Sequence, residues 1–326
     1  MDWFHRIFPD LAQTFAVQYL MSPLCLATTV MIAWLVWRYS RNETGFIRFL
    51  LPKEIYRHQS TWMDVKLAIY NTYFLAPGAV AALIDLPAVT LYVLAAMESM
   101  TGSNATEEGT ARAILAGVVL FLVQDFGRYC NHYIHHKFKY LWPFHAVHHS
   151  AEVMTPNTFM RAHPLYTALQ ADLVSVLGGI VCAIVLFALV GSITPGIVYG
   201  GVLAWNVYVF FGAHLRHRRI WLSYGPVLEH ILISPAQHQV HHSSDPKHHD
   251  KNFGEIFAIW DWMFGTLYVP KGREYLTFGI ANSAGDRIPQ PHPILRAALL
   301  GPFEDVWEEI CKGTSQDPHQ VRSPRT

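Results

Sequence analysis

The 326-residue sequence is poor in charge: 15% of its residues are Asp, Glu, Lys or Arg, against about 25% in soluble globular domains. The 24 basic residues are balanced by 24 acidic ones, so bulk charge gives no support to nucleic-acid binding. No charged residue lies between Asp172 and Arg216, and Asp85 is the only one between Lys66 and Glu98. Such runs exclude an ordinary cytosolic domain, and the 52% hydrophobic content excludes disorder. The sequence therefore predicts an integral membrane protein.

Cysteine is scarce as well, and no CxxC pair occurs among Cys25, Cys130, Cys182 and Cys311. This spacing argues against a disulfide framework and against a thiolate metal site. It predicts small side chains that are buried as hydrophobic groups.

The apolar runs predict an all-α, multi-pass membrane protein with about five spans and a helical, histidine-rich cap on the cytoplasmic side. The predicted spans are Tyr19–Trp37, Leu67–Met97, Ala113–Gln124, Leu173–Val190 and Ile197–Leu215. The second run contains two prolines and a charge, so it is either one kinked helix or a span with a re-entrant piece. The third run is short, and it can cross only if Arg112 snorkels and Asp125 faces the protein interior.

Loop charges predict the orientation. Six basic residues lie in the loop from Arg38 to Lys66, whereas the loop from Glu98 to Thr110 has acidic residues only. By the positive-inside rule the first loop is cytoplasmic and the second is outside. The third span then returns the chain to the cytoplasm, and a hairpin of the last two spans ends on the same side.

Histidine is the residue in excess. Of 19 histidines, 15 lie in two windows, His132–His163 and His214–His249, and the predicted topology brings both windows to one membrane face. An HxxxH pair places two imidazoles on one face of a helix. In each of two HxxHH boxes the adjacent histidines point about 100° apart, so they can serve two metals or both sides of one dinuclear centre. The pair and boxes are His132/His136, His145/His148/His149 and His238/His241/His242.

Sites made of imidazole alone suit iron, zinc, copper or nickel. A structural zinc site needs four ligands, whereas the pair and the two boxes together supply eight, so the sequence predicts two metal ions.

The motifs resemble those of the fatty acid hydroxylase/sterol desaturase superfamily, in family order, over roughly residues 110–280. They are especially similar to alkylglycerol monooxygenase-like and bacterial sterol desaturase members. The matching pieces are the HxxxH pair, residues 141–152, Arg161–Pro164, residues 235–243, residues 250–254 and residues 259–266. The resemblance implies a membrane di-iron oxygenase that hydroxylates or desaturates a lipid with O2 and two electrons. It divides the chain into N-terminal spans (1–110), a catalytic region (111–280) and a cytoplasmic tail (281–326).

The resemblance also implies the ligands, with no catalytic residue beyond them: His132, His136, His145, His148, His149, His214, His238, His241 and His242. The sequence departs from the family after His214, which leaves His217 as a substitute or companion. Expected around the ligands are Asp125, His163, His217, Asn252 and Asp261, although Asp261 could instead cap a helix or turn. Ordinary polar or surface roles are expected for His230, His248 and His249.

The resemblance does not separate hydroxylase from desaturase; hydroxylase is favoured because the similar members are monooxygenases. It implies a membrane-lipid substrate (sterol, fatty acyl, ether or amino lipid), two iron ions that zinc could replace in a purified sample, and an external donor of the ferredoxin or cytochrome b5 type. Basic residues that could dock such a donor, or simply reflect the positive-inside rule, are Lys137, Lys139, Arg216, Arg218 and Arg219. The expected location is the bacterial inner membrane, or the endoplasmic reticulum in a eukaryote. The alternatives are a divalent-metal transporter and a metal-stabilised membrane sensor.

Overall fold

The computed structural model describes residues 23–40, 44–75, 86–102, 109–189, 191, 215–282 and 284–312. Within these residues the protein is helical, with three isolated β-bridges and no strand, so the all-α prediction is confirmed there. The helices are α1 (Pro23–Tyr39), α2 (Phe46–Leu50), α3 (Lys53–Tyr56), α4 (Gln59–Tyr70), α5 (Leu86–Thr101), α6 (Thr110–Lys137), α7 (Trp142–His149), α8 (Pro164–Leu173), α9 (Gly179–Leu189), α10 (Gly225–Leu228), α11 (Pro235–His241), α12 (Ile259–Phe264) and α13 (Leu295–Lys312).

In the described part of the chain, two helical segments are long and apolar enough to cross a membrane. One is α6, and the other is the 26-residue segment Pro164–Leu189, in which a π-helical turn joins α8 to α9. Shorter apolar helices lie at Leu26–Tyr39 and Leu86–Thr101. These helices are consistent with a membrane protein, and the count of five spans stays a prediction. The predicted fifth span, Ile197–Leu215, lies outside the described residues apart from Leu215.

Two predicted spans compare with described helices as follows. In the run Leu67–Met97, the residues up to Leu75 lie in α4 and its π-helical turn and those from Leu86 lie in α5, whereas residues 76–85 are outside the described part, so both alternatives for this run stay predictions. The short third run is the apolar part of the 28-residue α6. The helix does not end at the charged Asp125, because backbone N–H groups of a distant segment satisfy that carboxylate.

The apolar helices pack around one core. Leu94 of α5, Leu120 of α6 and Leu186 of α9 are buried in it. Close approach of α5 to α9 requires Gly179, since a Cβ there would lie 2.7 Å from Val89. This packing fixes α6, and with it the first histidines, relative to the following long helix.

A second packing region surrounds α7. Val147 of α7 is buried against Leu67 of α4 and Ala298 of α13, and the ring of Phe144 contacts that of Phe303, with centroids 5.0 Å apart. Helix α7, which carries the first HxxHH box, is therefore held between an N-terminal and a C-terminal helix.

Candidate metal centre

Five imidazoles from three helices form what we call the first cluster. One ring nitrogen of each lies within 4.8 Å of those of the others: His132 and His136 from α6, His145 and His149 from α7, and His241 from α11. The Nε2 atom of His149 is 3.2 Å from that of His136 and 3.1 Å from that of His145. Two nitrogens bound to one tetrahedral ion at 2.0–2.1 Å lie about 3.3 Å apart. The spacing therefore fits nitrogens that converge on one metal ion.

Four more imidazoles form the second cluster: His148, His217, His238 and His242. Its Nε2 atoms are 2.9 Å apart between His217 and His238, and 3.1 Å apart between His217 and His148. The same spacing argument applies, so the chain can hold two ions.

The HxxHH boxes divide between the clusters. In each box the last histidine and the one before it belong to different clusters, because neighbouring helical side chains point about 100° apart. His149 and His241 lie in the first cluster, whereas His148 and His242 lie in the second. The rings of His149 and His242 stack with centroids 4.5 Å apart. The two candidate ions would therefore be neighbours.

Backbone carbonyls define the tautomer of several rings. The Nδ1 atoms of His132, His241 and His148 face the carbonyl oxygens of Phe253, Lys251 and Arg161 at 2.9, 2.8 and 3.2 Å. Because a carbonyl only accepts, Nδ1 donates and Nε2 keeps its lone pair. The Nε2 atoms of His132 and His241 are buried without a hydrogen-bond partner. Buried lone pairs that face one point fit a metal ion.

Burial keeps these imidazoles neutral. It lowers the pKa of His148 to about 3, and it lowers the pKa of His145, His238 and His242 well below the usual range. Neighbouring imidazoles lower these pKa values further, since one positive charge in the cluster disfavours a second. Metal ligation requires the neutral form, so the rings are in the ligating state at neutral pH.

Asp261 and Asn252 act on the loop beside the first cluster. Asp261 accepts hydrogen bonds from the N–H groups of Phe253 and Gly254 at 2.8 and 2.7 Å. Asn252, in a left-handed conformation with φ 58°, accepts from the N–H of Tyr268 at 2.7 Å. A Cβ on Gly254 would lie 2.5 Å from a backbone oxygen. These contacts fix the carbonyls that orient two ligand rings.

Two other residues expected beside the imidazoles lie elsewhere. Asp125 accepts from the N–H groups of Ile256 and Phe257 and from the indole of Trp260 at 2.7 Å, so it fastens that segment to α6. His163 caps α8 through the N–H of Leu165, and it is absent from both clusters.

His217, expected either as a substitute or companion of His214 or around the ligands, lies in the second cluster. His214 lies outside the described residues. His248, for which a polar or surface role is expected, is buried with Nε2 3.2 Å from a carboxylate oxygen of Glu274 and belongs to neither cluster. His230 donates to the carbonyl of Pro226.

Several basic residues expected at a docking surface are engaged within the protein. Arg216 is buried and pairs with Glu255 at 3.2 Å. Lys139 pairs with Glu309 at 2.7 Å, and Lys137 pairs with Asp250.

Sequence reasoning missed a buried ion pair beneath α7. Arg161 and Asp64 are fully buried and 3.0 Å apart. Arg161 also donates to the carbonyl of Val147 and to the hydroxyl of Ser150, at 2.9 and 2.8 Å. Nothing in the sequence linked the two, because 97 positions separate them.

Curated proteins with similar sequences align with about half of this chain. Alkylglycerol monooxygenase of Homo sapiens is 32% identical over 162 residues, which is 50% of this chain and 32% of that protein. Alkylglycerol monooxygenase of Danio rerio is 30% identical over 165 residues (51% and 33%). Ornithine lipid hydroxylase OlsE of Rhizobium tropici is 31% identical over 166 residues (51% and 46%). The matches thus span less than half the length of these relatives.

Residues 117–266 match the model of the fatty acid hydroxylase family. Both clusters lie within this segment, and the resemblance predicted from the motifs is confirmed. No solved structure matches the chain.

Proposed function

We propose that this chain, which carries a fatty acid hydroxylase domain over residues 117–266, is a membrane-bound di-iron oxygenase that hydroxylates a C–H bond of a lipid. The observation that carries the proposal is the pair of adjacent all-imidazole clusters, with five and four ring nitrogens. The relatives' names, a monooxygenase and a hydroxylase of lipids, favour hydroxylation over desaturation.

Two iron ions, held by the first and second clusters, would supply activation of O2. The reaction consumes a C–H bond, O2, two electrons and two protons, and yields an alcohol and water. The electrons come from an external ferredoxin- or cytochrome b5-type donor.

The protein's own part is to orient the ligand rings and to exclude water from them. Ligand rings are buried, and hydrogen bonds to the Phe253, Lys251 and Arg161 carbonyls fix their planes. Among the described residues, neither cluster includes a carboxylate, and the proposal assigns no acid–base side chain there.

The position of the clusters supports oxidation near the polar end of the lipid. His132 lies 19 residues beyond Ala113 in α6, which is about 28 Å of helix and close to the roughly 30 Å core of a bilayer. We place the cluster face on the cytoplasmic side. A lipid entering sideways would then present its headgroup, glycerol, first acyl carbons or a sterol ring, since the terminal methyl lies about 15 Å deeper.

The test is O2 uptake by iron-loaded protein in nanodiscs with a reducing system and candidate ether, amino, acyl and sterol lipids. We expect lipid-dependent uptake and a product 16 mass units heavier than its substrate, as one added oxygen requires, with the oxygen near the headgroup. His241→Ala should abolish turnover, whereas His249→Ala, outside both clusters, should retain it. Metal-replete protein without lipid-dependent uptake would overturn the proposal, and oxygen at the ω carbon would overturn the regiochemistry.

A further inference from the structure

A cavity of about 270 Å³ is lined by four arginines, one of which directly follows His217 of the second cluster. They come from distant parts of the chain: Arg48 from α2, Arg218 and Arg219 from the segment after His217, and Arg273 from the loop after α12. Among the described residues of the lining, the only carboxylate is that of Glu54. The cavity therefore carries a formal excess of three positive charges, which favours an anion.

The cavity has a buried base and an exposed mouth. Arg218 and Met154 are buried, whereas Arg48, Arg219 and Arg273 are exposed. Within the described part of the chain, none of these three exposed guanidinium groups forms an ion pair with a carboxylate. They are thus available to a ligand, and guanidinium groups bind phosphate and carboxylate in bidentate geometry.

The base of the cavity is tied to the metal centre. Arg218 follows His217 directly, so their Cα atoms are about 3.8 Å apart. The side-chain amide of Gln239, the neighbour of His238, donates to the carbonyls of Arg218 and Ile220 at 2.8 Å each. A ligand in the cavity therefore lies beside the second cluster.

Exposed apolar residues that flank the lining residues in the chain, which we call the rim, indicate where the ligand comes from. Ile47 and Leu51, next to the cavity-lining Arg48 and Leu50, are 76% and 52% exposed. Exposed apolar groups beside a cationic cavity are typical of a bilayer interface, where they enter the acyl region while basic groups meet the headgroups. The volume suits a headgroup and excludes a whole lipid.

From the arginines and this rim we propose that the cavity binds the anionic phosphate headgroup of a membrane lipid and so holds that lipid beside the second cluster. The claim that the bound lipid is the substrate rests on the proposed function. Binding of the lipid headgroup in the cavity is tested without turnover.

The experiment is calorimetric titration of the metal-loaded full chain in a neutral detergent. The probes are dihexanoyl phosphatidylglycerol, dihexanoyl phosphatidylcholine and inorganic phosphate. We expect phosphatidylglycerol to bind at least about tenfold more tightly than either other probe, because charged hydrogen bonds and acyl contacts add.

The test variant is Arg48→Gln combined with Arg273→Gln. Both side chains are exposed, so the fold should survive, and we expect the affinity for phosphatidylglycerol to fall at least about tenfold. Arg57→Gln is the matched control, because Arg57 is exposed, lies one residue from Tyr56 of the lining and does not itself line the cavity. It should change the affinity less than about twofold.

Two outcomes overturn the headgroup-site proposal, and a third overturns the proposed function instead. Equal affinity for inorganic phosphate and the lipid would assign the cavity to a soluble anion. A double variant with unchanged lipid affinity that loses only donor-dependent reduction would assign the arginines to an acidic donor protein. Lipid binding that depends on the arginines, without lipid-dependent O2 uptake, would leave the headgroup site intact and overturn the proposed oxygenase function instead.

Discussion

Removing the carboxylate of Asp64 should destabilise the protein and loosen the second cluster. Asp64 compensates the charge of Arg161, and both side chains are fully buried. Asp64→Ala leaves a guanidinium group without its counter-ion away from water. Breaking a buried ion pair in this way costs about 3–5 kcal/mol.

The effect should reach the metal centre through the backbone. The carbonyl of Arg161 accepts a hydrogen bond from His148 at 3.2 Å, and its guanidinium group holds the carbonyl of Val147 in the same box. At about 2 °C per kcal/mol for a chain of this size, the apparent Tm should fall by about 6–10 °C. The metal content should fall from about two ions toward one.

The assay is thermal unfolding in detergent together with elemental analysis. Asp64→Asn should be milder than Asp64→Ala, because its amide oxygen still accepts from Arg161. Glu304→Gln, an exposed carboxylate-to-amide change on α13, should stay within about 0.5 kcal/mol of the parent protein. An Asp64→Ala protein that unfolds within about 2 °C of the parent and keeps both ions would refute the reasoning.

Three further expectations follow from the site and the topology. Elemental analysis of the intact protein should find about two metal ions. His145→Ala and His242→Ala should each leave about one ion, since the two rings belong to different clusters. Loss of both ions in each variant would mean a single shared site. His248→Ala should keep turnover and both ions, because that ring lies outside the clusters, and a loss of ions would make it a ligand. Cysteines replacing Thr101 and Arg57 should react with impermeant maleimide from opposite sides of the membrane, as the loop charges predict; labelling from one side would refute the five-span topology.

Much of the site could be predicted, because ligands that share a helix are spaced in the sequence by the helix repeat. The HxxxH spacing follows from the helix repeat, and the HxxHH boxes divide between two clusters as adjacent helical side chains must. The role of His217 was harder to predict, because it lies in a short turn, where no periodicity assigns a direction.

What could not be predicted depends on contacts between distant segments. Asp125 is expected to face the protein interior, but its partners there, the N–H groups of residues 256 and 257, lie more than 130 positions away in the sequence. The roles of Asn252 and Asp261 depend on a backbone conformation that side-chain patterns do not encode. The arginines of the headgroup cavity come from three separate segments, so no local motif brings them together.

The continuity of α6 has a consequence for how the protein tolerates change. The same uninterrupted helix forms part of the apolar core and carries His132 and His136. The directions of these two ligand side chains are therefore fixed relative to the side chains that pack in the core. One inserted residue near Gly117 would advance every later side chain by 100° and 1.5 Å. Both rings would then turn away from His145 while the chain stayed fully helical. The protein therefore cannot match a thicker or thinner bilayer by lengthening this helix one residue at a time, and tilt is the adjustment that leaves the ligands in register.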